Sequence, residues 1–267
     1  MTRTAIIAGR GALPAALAAA LERPFVAALE GFDPSGVEPD LRFRVERLVP
    51  FLRRLEEEGV TRVCFAGAVQ RPRLDPALFD PDTATMVPRL LAAMGQGDDA
   101  TLREVLAIFE EAGFALAGVP ELAPGLVPGA AVLCGEVTER DRADAARAAE
   151  IVAALGRVDV GQGAVVQQGL CLAVEALPGT DAMLAGVAAI PAGLRPQGAR
   201  GLFYKAPKPA QDRRIDLPAL GVETVRRVAA AGLGGIAFEA GGVICLDLEG
   251  MLAEARAAGL FLWAREP

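Results

Sequence analysis

Short apolar runs alternate with amphipathic stretches along the first half of the chain. Residues 4–21, T-A-I-I-A-G-R-G-A-L-P-A-A-L-A-A-A-L, predict a buried strand, a glycine turn and an Ala/Leu helix. Pro14 suits the first turn of that helix, where its missing N–H costs nothing. Residues 24–30 predict a second strand, 48–58 a helix with mixed faces, and 60–66 a third strand. A helix over 99–112, capped by Asp98 and Asp99, and a strand over 114–119 continue the pattern. Strands alternating with helices predict an α/β domain with a parallel sheet.

Residues 121–130, E-L-A-P-G-L-V-P-G-A, are rich in proline and glycine and are read as a linker. Beyond it come an Ala-rich helix over 140–155 and two short strands within 164–176 that meet at Gly169. Helices follow over 181–189, beneath Thr180, and over 224–231. Short strands at 236–238 and 243–246 flank an A-G-G turn, and a helix over 248–257 and a strand over 260–264 close the chain. The expected architecture is therefore α/β in two domains. These are a Rossmann-like open sheet over 1–125 and a mixed α/β domain over 126–267, with a ligand cleft between them.

Composition narrows the chemistry. The chain has 267 residues, 52% of them hydrophobic and only 5% aromatic, so its core must be built mainly from Ala, Val and Leu. A net charge of −7 argues against a nucleic-acid partner held by a basic surface. No stretch approaches the roughly 20 apolar residues of a spanning helix, and the first apolar run is too short for a secretory signal. A cytoplasmic protein is expected, soluble or resting on a membrane surface. Cys64, Cys134, Cys171 and Cys245 form no CxxC pair and are expected to be buried free thiols. There is no histidine, which excludes Ser-His-Asp and Cys-His catalysis and an HExxH zinc site. Carboxylates, lysines, tyrosine or a metal-bound water must serve instead.

The densest polar chemistry lies in residues 205–223, K-A-P-K-P-A-Q-D-R-R-I-D-L-P-A-L-G-V-E. Its prolines forbid one continuous helix. Asp212 and Asp216 are hard oxygen donors of the kind Mg²⁺ prefers, and Lys205, Lys208 and Arg213 suit phosphate oxygens. A solvated charged loop is the other reading. Gly9-Arg10-Gly11 opens the first helix, so Gly11 and Ala12 could offer backbone N–H groups to an anion. The turn can equally be structural. It is not a full dinucleotide fingerprint, because Pro14 stands where the third glycine belongs, although Glu30 sits near the expected acid. Gln70 and Arg71 follow the third strand, where open sheets place ligands. Asp98 is either a metal ligand or part of a helix cap. Gln162, Gln167, Glu175, Thr180, Asp181 and Glu239 lie at strand and helix ends, where polar groups are costly unless paired or used.

Several of these stretches resemble one family. V-D-V-G-Q over 158–162, A-V-E-A-x-x-G-T-D-A-M-L over 173–184 and K-x-x-K-P-x-Q-D-x-R-x-D-L-P-x-L-G over 205–221 are similar to motifs of the LpxI family. So are A-G-L-x-G-I-A-x-E-A-G over 231–241 and, near the N-terminus, I-A-G-x-G-x-L-P, G-x-V-x-R-P and G-D-D. These are UDP-2,3-diacylglucosamine pyrophosphatases of lipid A biosynthesis. The resemblance implies Mg²⁺-dependent hydrolysis by water attack on the α-phosphorus, giving UMP and 2,3-diacylglucosamine 1-phosphate (lipid X). It also implies two domains and transient contact with the cytosolic face of the inner membrane. On that reading Asp212 and Asp216 are the leading carboxylates, with Lys205 and Lys208 beside them in the catalytic set. Asp98 and Glu239 are further metal ligands, and Gly11, Ala12, Gln70, Arg71, Gln162, Gln167, Thr180, Asp181 and Arg213 contact substrate. A non-catalytic sugar-nucleotide or lipid-binding α/β protein is the alternative.

Overall fold

The computed structural model describes residues 3–69, 73–95, 98–209, 211–215 and 217–267, without the side chains of residues 98 and 99. The chain forms two compact units that divide between Ala123 and Pro124. Both are α/β.

The first unit contains β1 (Arg3–Ala8), α1 (Leu13–Ala20), β2 (Phe25–Leu29), β3 (Leu41–Phe43), α2 (Leu48–Glu57) and β4 (Val60–Ala66). It continues with α3 (Pro81–Ala84), α4 (Val87–Met94), α5 (Asp98–Glu111), β5 (Ala115–Leu116) and α6 (Val119–Leu122). Its sheet runs in the order β3-β2-β1-β4-β5, and every pairing is parallel. Parallel strands covered on both faces read as unbroken apolar runs. A-I-I-A in β1 and F-V-A-A-L in β2 are accordingly buried throughout. The core of this unit uses much of the chain's small aromatic content. Phe43 stacks on Phe51 at 3.9 Å, and Phe109 meets Phe51, Phe65 and Phe114 edge-on or tilted.

The second unit contains β6 (Ala131–Cys134), α7 (Glu139–Gly156), β7 (Gly163–Gln167), β8 (Leu170–Val174), α8 (Gly179–Ala188) and β9 (Leu202–Lys205). After these come β10 (Ala219–Leu220), α9 (Val222–Ala230), β11 (Gly235–Glu239), β12 (Ile244–Cys245), α10 (Leu248–Ala257) and β13 (Phe261–Arg265). Its main sheet is mixed, in the order β6-β13-β11-β9-β7-β8. Strands β9, β11 and β13 are mutually parallel, while β6, β7 and β8 enter antiparallel pairings. Strand alternation divides the core between two faces. Phe203, Ile236 and Phe238 pack with residues of α8, α9 and α10, whereas Leu202, Tyr204 and Ala237 pack with Ala145, Ala148 and Val152 of α7.

Three expectations need correction. The strands read on either side of Ala240-Gly241-Gly242 belong to different sheets, because β12 pairs in parallel with β10. The strand read over 114–119 shrinks to two residues, after which Pro120 falls in the first turn of α6. Of the cysteines, Cys64, Cys134 and Cys245 are buried but Cys171 is exposed, because β8 is an edge strand. Burial pushes the Cys64 and Cys245 thiols up to about 12, so both stay protonated and inert.

The β7–β8 hairpin that carries much of the site chemistry is tied down by one buried acid. Asp144, on α7, accepts hydrogen bonds from the Gln168 and Gly169 backbone N–H groups at 2.9 and 2.7 Å and from Arg140 at 2.5 Å. Its side chain is fully buried. Replacing it with alanine strands both amides and the guanidinium. Asp144→Ala should destabilise this unit by about 2–3 kcal/mol. Urea denaturation followed through Trp263, the chain's single tryptophan, checks this, and a loss below about 0.5 kcal/mol would contradict it.

Candidate active site

Several candidate residues of the second unit gather at one end of its sheet strands. Lys205 and Glu239 end the parallel strands β9 and β11. Gly163 starts antiparallel β7 opposite Lys205, and Glu175 follows β8, its N–H donating to the Gly163 carbonyl at 2.8 Å. Two groups of side chains result.

In the first group, alternation turns Lys205 to the face shared by Phe203 and α8. Lys205 is only 6% exposed. Its Nζ donates to Thr180 Oγ1 at 2.6 Å and lies 3.3–3.4 Å from both Glu175 carboxylate oxygens. Thr180 in turn donates to Glu175 Oε1 at 2.9 Å. Thr180 therefore does not cap the helix above it. It lies inside the first turn of α8, with its hydroxyl committed to this trio.

The second group belongs to the turn after β9. The Gln211 side-chain oxygen accepts from Gln162 Nε2 at 2.6 Å and from the Lys208 backbone N–H at 3.0 Å. Lys208 pairs with Asp159. Asp212 receives Arg214 through both carboxylate oxygens, at 2.7–3.1 Å, and also accepts the Arg214 backbone N–H at 3.0 Å. Arg213 Nη1 lies 2.7 Å from Glu239 Oε1. Gln162 links the two groups, because its carbonyl also accepts the Ala206 N–H.

The V-D-V-G-Q-G loop owes its glycines to this packing. A Cβ on Gly161 would lie 2.0 Å from the Glu175 carbonyl oxygen, and one on Gly163 would lie 2.8 Å from Glu175 Oε2. No larger residue lets the loop and the acid share this corner.

Other expected site residues stand apart. Gln167 is at the far end of β7, about 13 Å of strand from Gly163. Its amide is spent on the Pro196 and Ala199 carbonyls and on Arg195, so it anchors the 195–200 loop rather than meeting the Lys205 group. Asp181 is exposed and pairs with Arg227 at 3.2 Å. Gly11 and Ala12 are exposed at the N-terminus of α1, in the first unit. Gln70, Arg71 and Asp216 lie outside the described residues. Asp98 begins α5, but its side chain also lies outside the description.

Hydrogen bonding from Arg214 holds the Asp212 carboxyl below the usual aspartate range despite partial burial. The sole tyrosine, Tyr204, moves the other way. Burial pushes its phenol up, so it remains protonated at neutral pH and is no base. Among the described residues no three His, Cys, Asp or Glu side chains converge as a ready-made metal cage. Mg²⁺ does not require such a cage, being usually held by one or two carboxylates plus substrate phosphates. Two donors fit it. Asp212 is reliably ionised, and Glu239 Oε1 is buried yet has no hydrogen-bond partner among the described residues, its contact with Arg213 being an ion pair without hydrogen-bond geometry.

One compositional signal marks the place independently. Of 27 basic residues only Lys205 and Lys208 are lysines, and the single tyrosine adjoins them. Arginine serves everywhere else, so the chain's two lysine side chains, with their compact, rotatable ammonium groups, both lie in this segment.

The chain matches the family models for the LpxI N-terminal domain over residues 3–126 and the LpxI C-terminal domain over residues 129–263. The chain belongs to the LpxI family. It is also 41% identical, over 277 aligned positions, to a protein of Caulobacter vibrioides named UDP-2,3-diacylglucosamine pyrophosphatase LpxI. The alignment covers 100% of this chain and 99% of that relative. The long motifs of this LpxI chain are the segments that build this end of the sheet. V-D-V-G-Q supplies the Gly161 corner, A-V-E-A with G-T-D supplies Glu175 and Thr180, and K-A-P-K-P with Q-D-R-R supplies the turn after β9.

The lowered Asp212 pKa carries a sign. The carboxylate–Arg214 pairing stabilises the fold at pH above the unfolded value of about 4 and is lost as pH falls through the folded value. Carboxyl carbon NMR should therefore show Asp212 titrating below an ordinary aspartate, and Arg214→Met should raise its midpoint. An unchanged midpoint in the variant would remove Arg214 as the cause.

Proposed function

We propose that the chain hydrolyses the pyrophosphate bond of UDP-2,3-diacylglucosamine, with water attacking the α-phosphorus, to give UMP and 2,3-diacylglucosamine 1-phosphate in lipid A biosynthesis. The observation that carries this reading is 41% identity over the full length to the Caulobacter pyrophosphatase. The same end of the sheet supplies matching chemistry. Lys205, Lys208 and Arg213 are cations suited to phosphate oxygens, and each is held in place by a carboxylate.

Asp212 serves as an anion rather than as a proton acceptor. A general base works best with a pKa near the operating pH, and Arg214 drives Asp212 the other way. Its fitting roles are to hold a cation or to orient the attacking water. Asp216, four residues on, is the carboxylate proposed to activate that water. Mg²⁺ is proposed as the cofactor, held by Asp212 and Glu239. When bound it would neutralise pyrophosphate oxygens and polarise the phosphorus. Arg213 and Arg214 currently neutralise these two acids, so both arginines are placed to turn toward substrate oxygens when the acids are engaged elsewhere.

The protein is proposed to act in the cytoplasm, touching the inner membrane transiently to reach its diacylated substrate. Among the described residues no helix is long and apolar enough to cross a membrane. Leu177 and Leu194 are exposed leucines of the second unit that suit a lipid surface.

Two experiments test the reading. Asp212→Ala should lower kcat for UMP release by about 10²-fold or more while the variant still binds substrate in detergent micelles. A protein that merely binds sugar nucleotides would show no UMP release to lose. Exhaustive EDTA treatment should abolish release and added Mg²⁺ should restore it. Full activity after chelation rules out the metal.

A further inference from the structure

Lys205 is buried beyond the usual limit for a lysine, and an ammonium taken out of water is costly unless paired. Its three N–H donors can be counted. One goes to Thr180 Oγ1 at 2.6 Å, and one is shared between the Glu175 oxygens at 3.3 and 3.4 Å. Among the described residues the third has no acceptor. Thr180 accepts from Lys205 and donates to Glu175, so the hydroxyl has one orientation that satisfies both neighbours. Glu175 is itself fixed from behind, through its N–H on the Gly163 carbonyl and through the space that Gly161 and Gly163 leave for it. The arrangement is a brace. A rigid backbone corner holds the acid, the acid and the hydroxyl hold the ammonium, and one N–H is left over.

We propose that Glu175 is a positioning residue of the active site. Acting through Thr180, it sets the Lys205 ammonium so that its remaining N–H serves a phosphate oxygen of the substrate. The assignment rests on the pyrophosphatase reading above. Glu175 itself touches no reacting atom, so its effect must pass entirely through Lys205.

A double-mutant cycle reads that dependence. Glu175→Gln should lower kcat for UMP release by about 30-fold with KM changed less than about threefold, since what is lost is alignment rather than uniform binding. In a Lys205→Met background the same change should cost less than about twofold, because residues that act as a unit are not additive. Thr180→Val should lower kcat about tenfold, and Thr180→Ser, which restores the hydroxyl, should recover most of it. A signature independent of turnover comes from the two lysines. With ¹⁵N at the lysine side chains, Glu175→Gln should move the Lys205 ammonium signal and leave that of Lys208 in place. An active wild type whose Glu175 and Lys205 losses simply multiply overturns the proposal alone, as does an unmoved Lys205 signal. A wild type that releases no UMP removes the pyrophosphatase reading and the proposal with it. If Glu175→Gln does not fold, the Thr180 pair decides, and equal rates for Thr180→Val and wild type overturn the proposal.

Discussion

Much of the second unit follows from burying a lysine ammonium at the end of a central strand. Desolvating that charge costs several kcal/mol unless an anion and further hydrogen bonds meet it. The anion comes from β8, the edge strand on the far side of β7, which delivers Glu175 one residue past its end. Glu175 can stand there only if the loop entering β7 is bare of side chains, which explains the two glycines flanking Gln162. The hairpin must also keep its register, and Asp144 secures that from the opposite end by accepting both amides of the turn. A charge, a hairpin and a glycine motif far apart in sequence are thus parts of one electrostatic requirement.

The first unit ends its central strands differently. Its strand order reverses between β1 and β4, and in open sheets the crevice beyond such a point is a usual ligand position. Here the two loops bond to each other instead. The Arg10 and Ala68 amides exchange hydrogen bonds at 2.9 Å, and the Gly9 N–H is spent on the Ala66 carbonyl at 2.7 Å. Gly67, at φ +94°, would bring a Cβ within 2.7 Å of the Arg10 carbonyl, so these glycines serve loop contact. The acid after β2 is also engaged, since Glu30 meets Arg44 at 2.8 Å. The Gly9 N–H and the Glu30 carboxylate, two of the groups that a dinucleotide fingerprint would use, therefore already have partners within the unit.

The legible parts of the chain were those with strong periodicity. Val60–Ala66 and Leu248–Ala257 have the bounds read from sequence, because each is an apolar or amphipathic run between clear breakers. The central strand β9 is not legible locally, since L-F-Y-K is short and merges into the charged segment that follows it. Its position comes from pairing with β11 and β7, which is long-range information. The N-terminus of α7 is legible in the sequence. T-E-R-D there is a capping box, with Thr138 and Asp141 each bonding the other's backbone N–H. At the candidate site, residue types drew attention to the 205–223 segment, yet partners were invisible. Nothing local to Lys205 says that its anion is Glu175, and nothing local to Gln167 says that strand direction carries it to the opposite end of the sheet.

The pairing also bears on how a charged substrate could be accepted. Among the described residues each cation of the site has an acid: Lys205 with Glu175, Lys208 with Asp159, Arg213 with Glu239 and Arg214 with Asp212. Such a set is close to neutral, which lets it fold without a ligand. It also means that a pyrophosphate diester, carrying two negative charges, meets no unopposed positive field on arrival. Either the substrate takes cations from their acids, leaving carboxylates exposed to its own charge, or added positive charge enters with it to hold those acids. The pairs differ in how readily they can change partners. Lys205 and Glu175 are nearly enclosed, whereas the Arg213 and Arg214 side chains are about half exposed and can swing out at little cost. The exchangeable pairs are therefore those of Asp212 and Glu239, the two acids proposed to hold Mg²⁺, while the enclosed pair keeps its geometry. On this reading the site divides into a fixed half that aligns one phosphate and a half whose partners change when substrate and cation arrive together.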